Sequence, residues 1–225
     1  MQVTIDNIHY TFIPNKISSF QKSELVLKND IYEKYKATGE VEGELVVCKD
    51  ASNVKRFEKK VVRETFDEYT QAISQRPIQT DAWIYNIIHG VAEQASVLYR
   101  DDQCVVIPTY MWDGTNIDKL HILCLPTNIT LRCIRSLTAE HIPLLEHMRR
   151  VTCDRIRDQY GVDETGLKIF FHYEPSTYHL HIHFINVAHR DACSSVEYSH
   201  DLYAVLFNLS ICSDYYQRAI LHKRA

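Results

Sequence analysis

The sequence predicts an α+β fold: an antiparallel sheet with helices in a large C-terminal part, preceded by a small N-terminal α+β part. Two observations carry this. Strand-like runs outnumber helical ones, and successive runs are separated by only a few residues, which suits antiparallel neighbours better than crossover connections.

Taken in order, Val3, Ile5 and Ile8 begin an apolar alternation, Asn29-Asp30-Ile31-Tyr32 follows a turn, and Glu44 to Cys48 is a β-rich run. From Val54 the chain turns charged and helical, with Lys55, Arg56, Glu58, Lys59, Lys60, Arg63 and Glu64 close together. The expected domains are residues 1–62, a polar linker or hinge over 63–80 that holds Pro77, and a main domain over 81–225. In the main domain Trp83 to Val91 reads as a short helix stopped near Gly90, and Ala95–Tyr99, Cys104–Ile107 and Leu120–Leu125 read as strands. Asp101-Asp102 and Asp113-Gly114 supply the turns between them. Thr138 is the predicted N-cap of a helix with Glu140 in its first turn; Ile142, Leu145, Met148, Val151 or Thr152, and Ile156 recur at helical spacing until Gly161. Two further strands, Leu167–Tyr173 and His179–Val187, are joined by a loop carrying Pro175.

Composition narrows the function. The 225 residues are 45% hydrophobic and 24% charged, which excludes disorder and low complexity. A net charge of −4 provides no global basic field for long duplex nucleic acid, so any nucleic-acid ligand is expected to be short. Apolar runs such as Leu120–Leu125 are far below the roughly 20 residues of a bilayer span, and the N-terminus lacks the basic start and apolar run of a secretory signal. Seven cysteines without a C-x-x-C pair read as reduced thiols, hence a cytoplasmic location with the nucleus as a second. The 14 Tyr, 8 Phe and 2 Trp serve core packing first and stacking on flat ligands second.

The stretch from Phe170 to Phe184 is where chemistry becomes specific. On a strand, side chains alternate, so His179, His181 and His183 share one face while Leu180, Ile182 and Phe184 share the other. Imidazoles on a half-buried face are costly unless their ring nitrogens are satisfied, and an anionic ligand such as a polyphosphate satisfies them. His172, one strand earlier, is placed to join them. Two chemistries compete: a zinc site, because His at i and i+2 plus a third is a ligand arrangement, and a phosphohistidine nucleophile. Glu174 is the only nearby acid and the segment is rich in hydroxyls, which favours phosphate over metal. No metal and no other cofactor is expected.

The pattern His179-x-His181-x-His183 resembles the histidine triad family, and His172-Tyr173-x-Pro175-Ser176-x-Tyr178-His179-Leu180-His181 resembles its scavenger mRNA decapping branch. Further likeness lies in Trp83-Ile84-Tyr85-Asn86-Ile87 with Glu93, in Val106-Ile107-Pro108 with Trp112, in Ile134 to Thr138 before Glu140-His141, and in Tyr215-Tyr216-Gln217-Arg218. Asn29 to Tyr32 and Val62 to Thr65 are similar to its smaller N-terminal domain.

The resemblance implies a histidine-triad-like sheet, cleavage of the 5′–5′ triphosphate of a methylated cap dinucleotide or short capped RNA, and release of 7-methylguanosine monophosphate. It makes His181 the nucleophile, His179 its orienting neighbour, and His183, His172 and Ser176 donors to phosphate. Trp83 would stack on the methylated guanine and Glu93 would accept its Watson–Crick edge, with Pro108, Thr109, Tyr110, Met111, Tyr173, Thr177 and Tyr178 lining the cap site. Asn29 would reach it from an N-terminal domain exchanged within a homodimer. Thr109, Tyr110 and Met111 stand where the family has an acid, an aliphatic residue and a lysine, and Tyr198 stands where a basic residue is expected; Lys119, Arg132 and Arg190 are the candidate substitutes. The alternatives are a cap-binding or regulatory protein without turnover and a general triad-family nucleotide hydrolase.

Overall fold

A computed structural model describes residues 61–76, 82–91, 94–109, 112–189 and 194–224, together with the backbone of five strands between Gln2 and Cys48. The chain divides into two compact units, residues 1–60 and 61–224. No described helix is long and apolar enough to cross a membrane.

In the first unit β1 (Gln2–Ile5), β2 (Ile8–Thr11), β3 (Phe20–Lys28), β4 (Tyr32–Gly39) and β5 (Gly43–Cys48) form a five-stranded sheet in the order β1-β2-β5-β4-β3. All its pairs are antiparallel; β3 runs to Lys28, where a turn before Asn29 was expected, and β4 begins at Tyr32. The charged stretch from Val54 to Lys60 lies outside the described residues.

The second unit starts at Val61, just before the linker expected over 63–80. β6 (Val61–Glu64) pairs with the last strand, β13 (Leu221–Arg224), and α1 (Phe66–Ser74) follows at once. Thr65 and Glu68 close a capping box, the Thr65 amide donating to Glu68 at 2.7 Å, and Tyr69 is buried in the main core. Polarity here belongs to the solvated side of a helix, so residues 61–76 are folded elements; residues 77–80 lie outside the described residues.

Six antiparallel strands make the central sheet, in the order β12-β10-β11-β9-β8-β7. They are β7 (Tyr99–Arg100), β8 (Cys104–Pro108), β9 (His121–Pro126), β10 (Leu167–His172), β11 (Ile182–Asn186) and β12 (Ser199–Asp201). The strand expected over Ala95–Tyr99 is instead a 3-10 turn at Gln94–Ser96 followed by the two residues of β7. β11 is shorter than expected: His179, Leu180 and His181 precede it as irregular chain, with the Leu180 amide drawn onto the Leu131 carbonyl at 2.7 Å.

The period-two alternation gives the sheet two different faces. On one, Cys104, Val106, Ile122, Cys124, Ile169, Phe171, Ile182 and Phe184 join the main core. Over them lie α3 (Ile142–Tyr160), which buries Leu145, Met148, Val151, Thr152, Cys153 and Ile156, and α4 (Leu202–Ile211), which buries Leu202, Val205, Leu206 and Leu209. Thr138 caps a 3-10 turn that leads into α3, and Gly161, at φ 70°, ends the helix in the left-handed region as expected.

On the opposite face the register aligns Ile107, Leu123, His183 and Phe170 in one row across β8, β9, β11 and β10. At the β8 end of this row α2 (Ala82–Ile88) packs Ile84, Ile87 and Ile88 on Val105, Ile107 and Leu125. The row therefore passes from an aliphatic patch under α2 to imidazoles within one sheet face.

Candidate active site

His181 carries the most informative geometry. Its Nδ1–H donates to the main-chain carbonyl of His179 at 2.7 Å, which fixes the tautomer and leaves Nε2 with a lone pair. That Nε2 makes no hydrogen bond among the described residues. The ring is 8% exposed, and burial lowers its pKa from the ordinary 6.5 despite the opposing carbonyl bond, so it is neutral near pH 7.

The other imidazoles support this ring in different ways. His183 sits edge-on to His181, ring centres 4.9 Å apart, and stacks flat on Phe170 at 5.2 Å and 4°. Burial, then the neighbouring His172, His181 and His121, hold its pKa well below 6.5, and its Nε2 is buried without a partner. His179 orients His181 through its carbonyl rather than through its ring. That ring is buried, donates from Nε2 to Pro126 O at 2.8 Å, meets Tyr85 of α2 edge-on, and has a pKa lowered to about 4, chiefly by burial. His172 lies 4.1 Å from His183, centre to centre, and Tyr198 stacks on it at 4.4 Å and 23°. An aromatic ring on His172 thus occupies the position where a basic residue was expected.

Ser176 is exposed on the β10–β11 loop, where its carbonyl accepts from Arg76 at 3.5 Å. Thr177 is half-buried beside it. Two expectations in this loop are corrected. Tyr173 and Tyr178 are core residues, because their hydroxyls are used internally: Tyr173 donates to Glu64 and accepts from Arg135 at 3.1 Å, while Tyr178 donates to Glu174 at 2.5 Å. Tyr173 is 0% exposed and Tyr178 stacks on Tyr69, so neither presents a surface to a ligand. Trp112 is likewise core, its indole N–H donating to Asn116 O.

Pro108 ends β8, and Thr109 is buried after it with its amide on the His121 carbonyl and its hydroxyl unpartnered. Trp83 stands in the first turn of α2, the helix packed on the imidazole face; only its backbone is described. Asn29, Glu93, Tyr110, Met111 and Arg190 lie outside the described residues. Lys119 is exposed, and Arg132 is half-buried over the Tyr178 ring with Nε and one terminal nitrogen unpartnered.

His121 and His189 belong to the cluster and were missed. His121, the first residue of β9, is buried and bonded through Nε2 to His183 Nδ1 at 2.9 Å, and His189 meets it edge-on at 6.1 Å. The available signal was that His121 opens an alternation, His121-x-Leu123-x-Leu125, whose register partners include His183.

A zinc site needs three ligand atoms that converge. Among the described residues the ring nitrogens of this cluster do not meet within 4.8 Å in any set of three; the set that does is Asp101, Cys104 and His147. There the Asp101 carboxylate already accepts from the Gln103 and Cys104 amides, Tyr99 and His147.

An antiparallel sheet with helices on its core face and imidazoles gathered on the other has the arrangement expected of the histidine triad class. The family model described as scavenger mRNA decapping enzyme C-term binding matches residues 82–199. The m7GpppX diphosphatase of Ascaris suum is 32% identical over 211 residues, 87% of this chain and 70% of that protein. The human m7GpppX diphosphatase is 28% identical over 214 residues, 88% of this chain and 63% of its own length. The chain belongs to the scavenger mRNA decapping enzyme family. A crystal structure of the aprataxin ortholog Hnt3 from Schizosaccharomyces pombe aligns with a TM-score of 0.39 at 18% identity, covering 55% of this chain and 71% of that one.

Proposed function

We propose that the protein is a cap diphosphatase that hydrolyses methylated cap dinucleotides or short capped RNA through a covalent nucleotidyl-histidine at His181. The observation that carries this reading is the His179 carbonyl on His181 Nδ1–H. It leaves the Nε2 lone pair free to attack, and it becomes a stronger, charge-assisted bond when phosphorylation makes the ring cationic.

In the first step Nε2 attacks the phosphorus next to 7-methylguanosine. A P–N bond forms as the anhydride P–O bond breaks, and its electron pair leaves with the nucleoside diphosphate or diphosphate-ended RNA. In the second step water attacks the same phosphorus, the P–N electrons return to Nε2, and 7-methylguanosine monophosphate is released. Donors from His183, His172 and the exposed Ser176 hydroxyl would stabilise charge on the phosphoryl oxygens. Trp83 stacking on the cationic base and Glu93 on its Watson–Crick edge would select methylguanine, with Pro108, Thr109, Tyr110, Met111, Thr177 and, from an exchanged domain of a homodimer, Asn29 completing the site.

The test offers methylated cap dinucleotide, its unmethylated analogue and a diadenosine polyphosphate, each with and without chelator, and chromatographs the products. Selective release of methylguanosine monophosphate, insensitive to chelator and abolished by His181→Asn, is the expected result. Equal cleavage of all three contradicts cap selectivity, and binding without cleavage favours a regulatory cap-binding role.

A further inference from the structure

We infer that His121 is a positioning residue that sets the tautomer of His183, so that His183 presents an N–H, rather than a lone pair, to a phosphoryl oxygen. The inference rests on the proposed phosphoryl chemistry of the site but concerns a residue that no motif in the triad strand identifies.

The His121–His183 contact is a single hydrogen bond of 2.9 Å between two ring nitrogens, His121 Nε2 and His183 Nδ1. One of the two must donate. Burial lowers both pKa values, that of His121 to about 4, so near pH 7 each ring carries one proton and each nitrogen is either donor or acceptor. If His183 donated from Nδ1, its Nε2 would be a buried lone pair with no partner, and a phosphoryl oxygen brought to it would meet lone pair against lone pair. If His121 donates, His183 Nδ1 accepts and its proton resides on Nε2, the same nitrogen that is buried and unpartnered. An anionic oxygen satisfies that N–H and no other arrangement of the pair does.

The surroundings hold the pair in place. His183 is pinned flat against Phe170 on one side and edge-on to His181, while His121 is backed by His189 and tied through its carbonyl to the Thr109 amide at 3.0 Å. The ring of His183 therefore has little freedom to flip, and the proton on His121 decides its role. The geometry places three imidazoles in series: His181 with its Nε2 lone pair, His183 with an unpartnered Nε2–H, and His121 behind it supplying the donor that makes the difference.

The experiment reads the tautomer directly. In protein labelled with nitrogen-15 on histidine, long-range proton–nitrogen correlation near pH 7 is expected to show His183 protonated on Nε2 and His121 protonated on Nε2. Protonation of His183 on Nδ1 would overturn the inference whatever the enzyme turns over, so failure of the cap reading and failure of this one are separable. Two variants carry it into kinetics. His121→Phe, which fills the same buried space, is expected to lower kcat on methylated cap dinucleotide about 10²-fold, the cost of one misdirected donor, with KM changed far less and with His183 shifted to a tautomeric mixture. His121→Gln, whose side-chain amide restores a donor, is expected to recover most of that rate. A His121→Phe protein with unchanged kcat and an unchanged His183 tautomer contradicts the inference, as does a His121→Gln protein as slow as His121→Phe.

Discussion

Two buried polar clusters in the second unit are built on opposite principles. Around Arg135 every nitrogen is used: Nε donates to the Tyr173 hydroxyl, one terminal nitrogen to the carbonyls of Tyr216 and Ala219, and the other to the Glu64 carbonyl beside the Glu64 carboxylate. Lys223 adds a 2.5 Å bond to the same carboxylate. Around His181, by contrast, the His179 Nδ1 and His183 Nε2 atoms are buried and unpartnered. The first cluster ties β6, β13 and the β10–β11 loop together and holds charge that would be costly if left alone. The second keeps His121, His179, His181 and His183 neutral by burial and leaves the His179 Nδ1 and His183 Nε2 atoms unspent, which is what a site awaiting a ligand requires.

Substitutions in the two clusters should therefore move different observables. The largest effect expected is from His181→Asn, a loss of turnover of about 10⁴-fold or more in single-turnover assays, with the midpoint of urea unfolding little changed. Glu64→Leu should do the reverse, lowering stability by about 3–5 kcal/mol because it strands the Arg135 charge in the core; urea denaturation checks it, and loss of stability from His181→Asn instead would erase the contrast. Trp83→Ala should weaken binding of methylated cap by about 1–3 kcal/mol while affecting the unmethylated analogue less, as read by fluorescence titration.

Stability is also expected to depend on pH. His121, His179 and His200 have folded pKa values lowered to about 4, each with burial as the largest cause, against 6.5 when unfolded. Between these values the unfolded chain binds protons that the folded one refuses, so their contribution is complete above about 6.5 and is lost as pH falls toward about 4. Urea midpoints should decline over that window, and His200→Phe should flatten the decline.

How much of this was legible depended on whether the signal was local. α3 was readable because its buried positions recur every three or four residues and Gly161 closes it, and the motif His179-x-His181-x-His183 was visible without knowledge of neighbours, although only His183 of the three lies on β11. The two units part between residues 60 and 61, and β6, which straddles the expected start of the linker at residue 63, and α1, which lies within it, carry the second unit's first buried residues. Thr65 and Glu68, at capping-box spacing, were the local sign of that helix. His121 escaped because a lone histidine at the head of an apolar run acquires meaning only through the β9–β11 register. Tyr173 and Tyr178 are held in the core by partners of two kinds: Glu64 and Arg135, distant in sequence, claim the Tyr173 hydroxyl, while Tyr178 stacks on the distant Tyr69 and donates to Glu174 of its own loop.

The central claim, attack by His181 rather than by water, is tested most directly by the stereochemical course at the phosphorus attached to 7-methylguanosine. With a cap analogue made chiral there by sulfur and oxygen isotopes, two successive displacements predict retention of configuration. Inversion would show a single displacement by water and would contradict a covalent His181 intermediate.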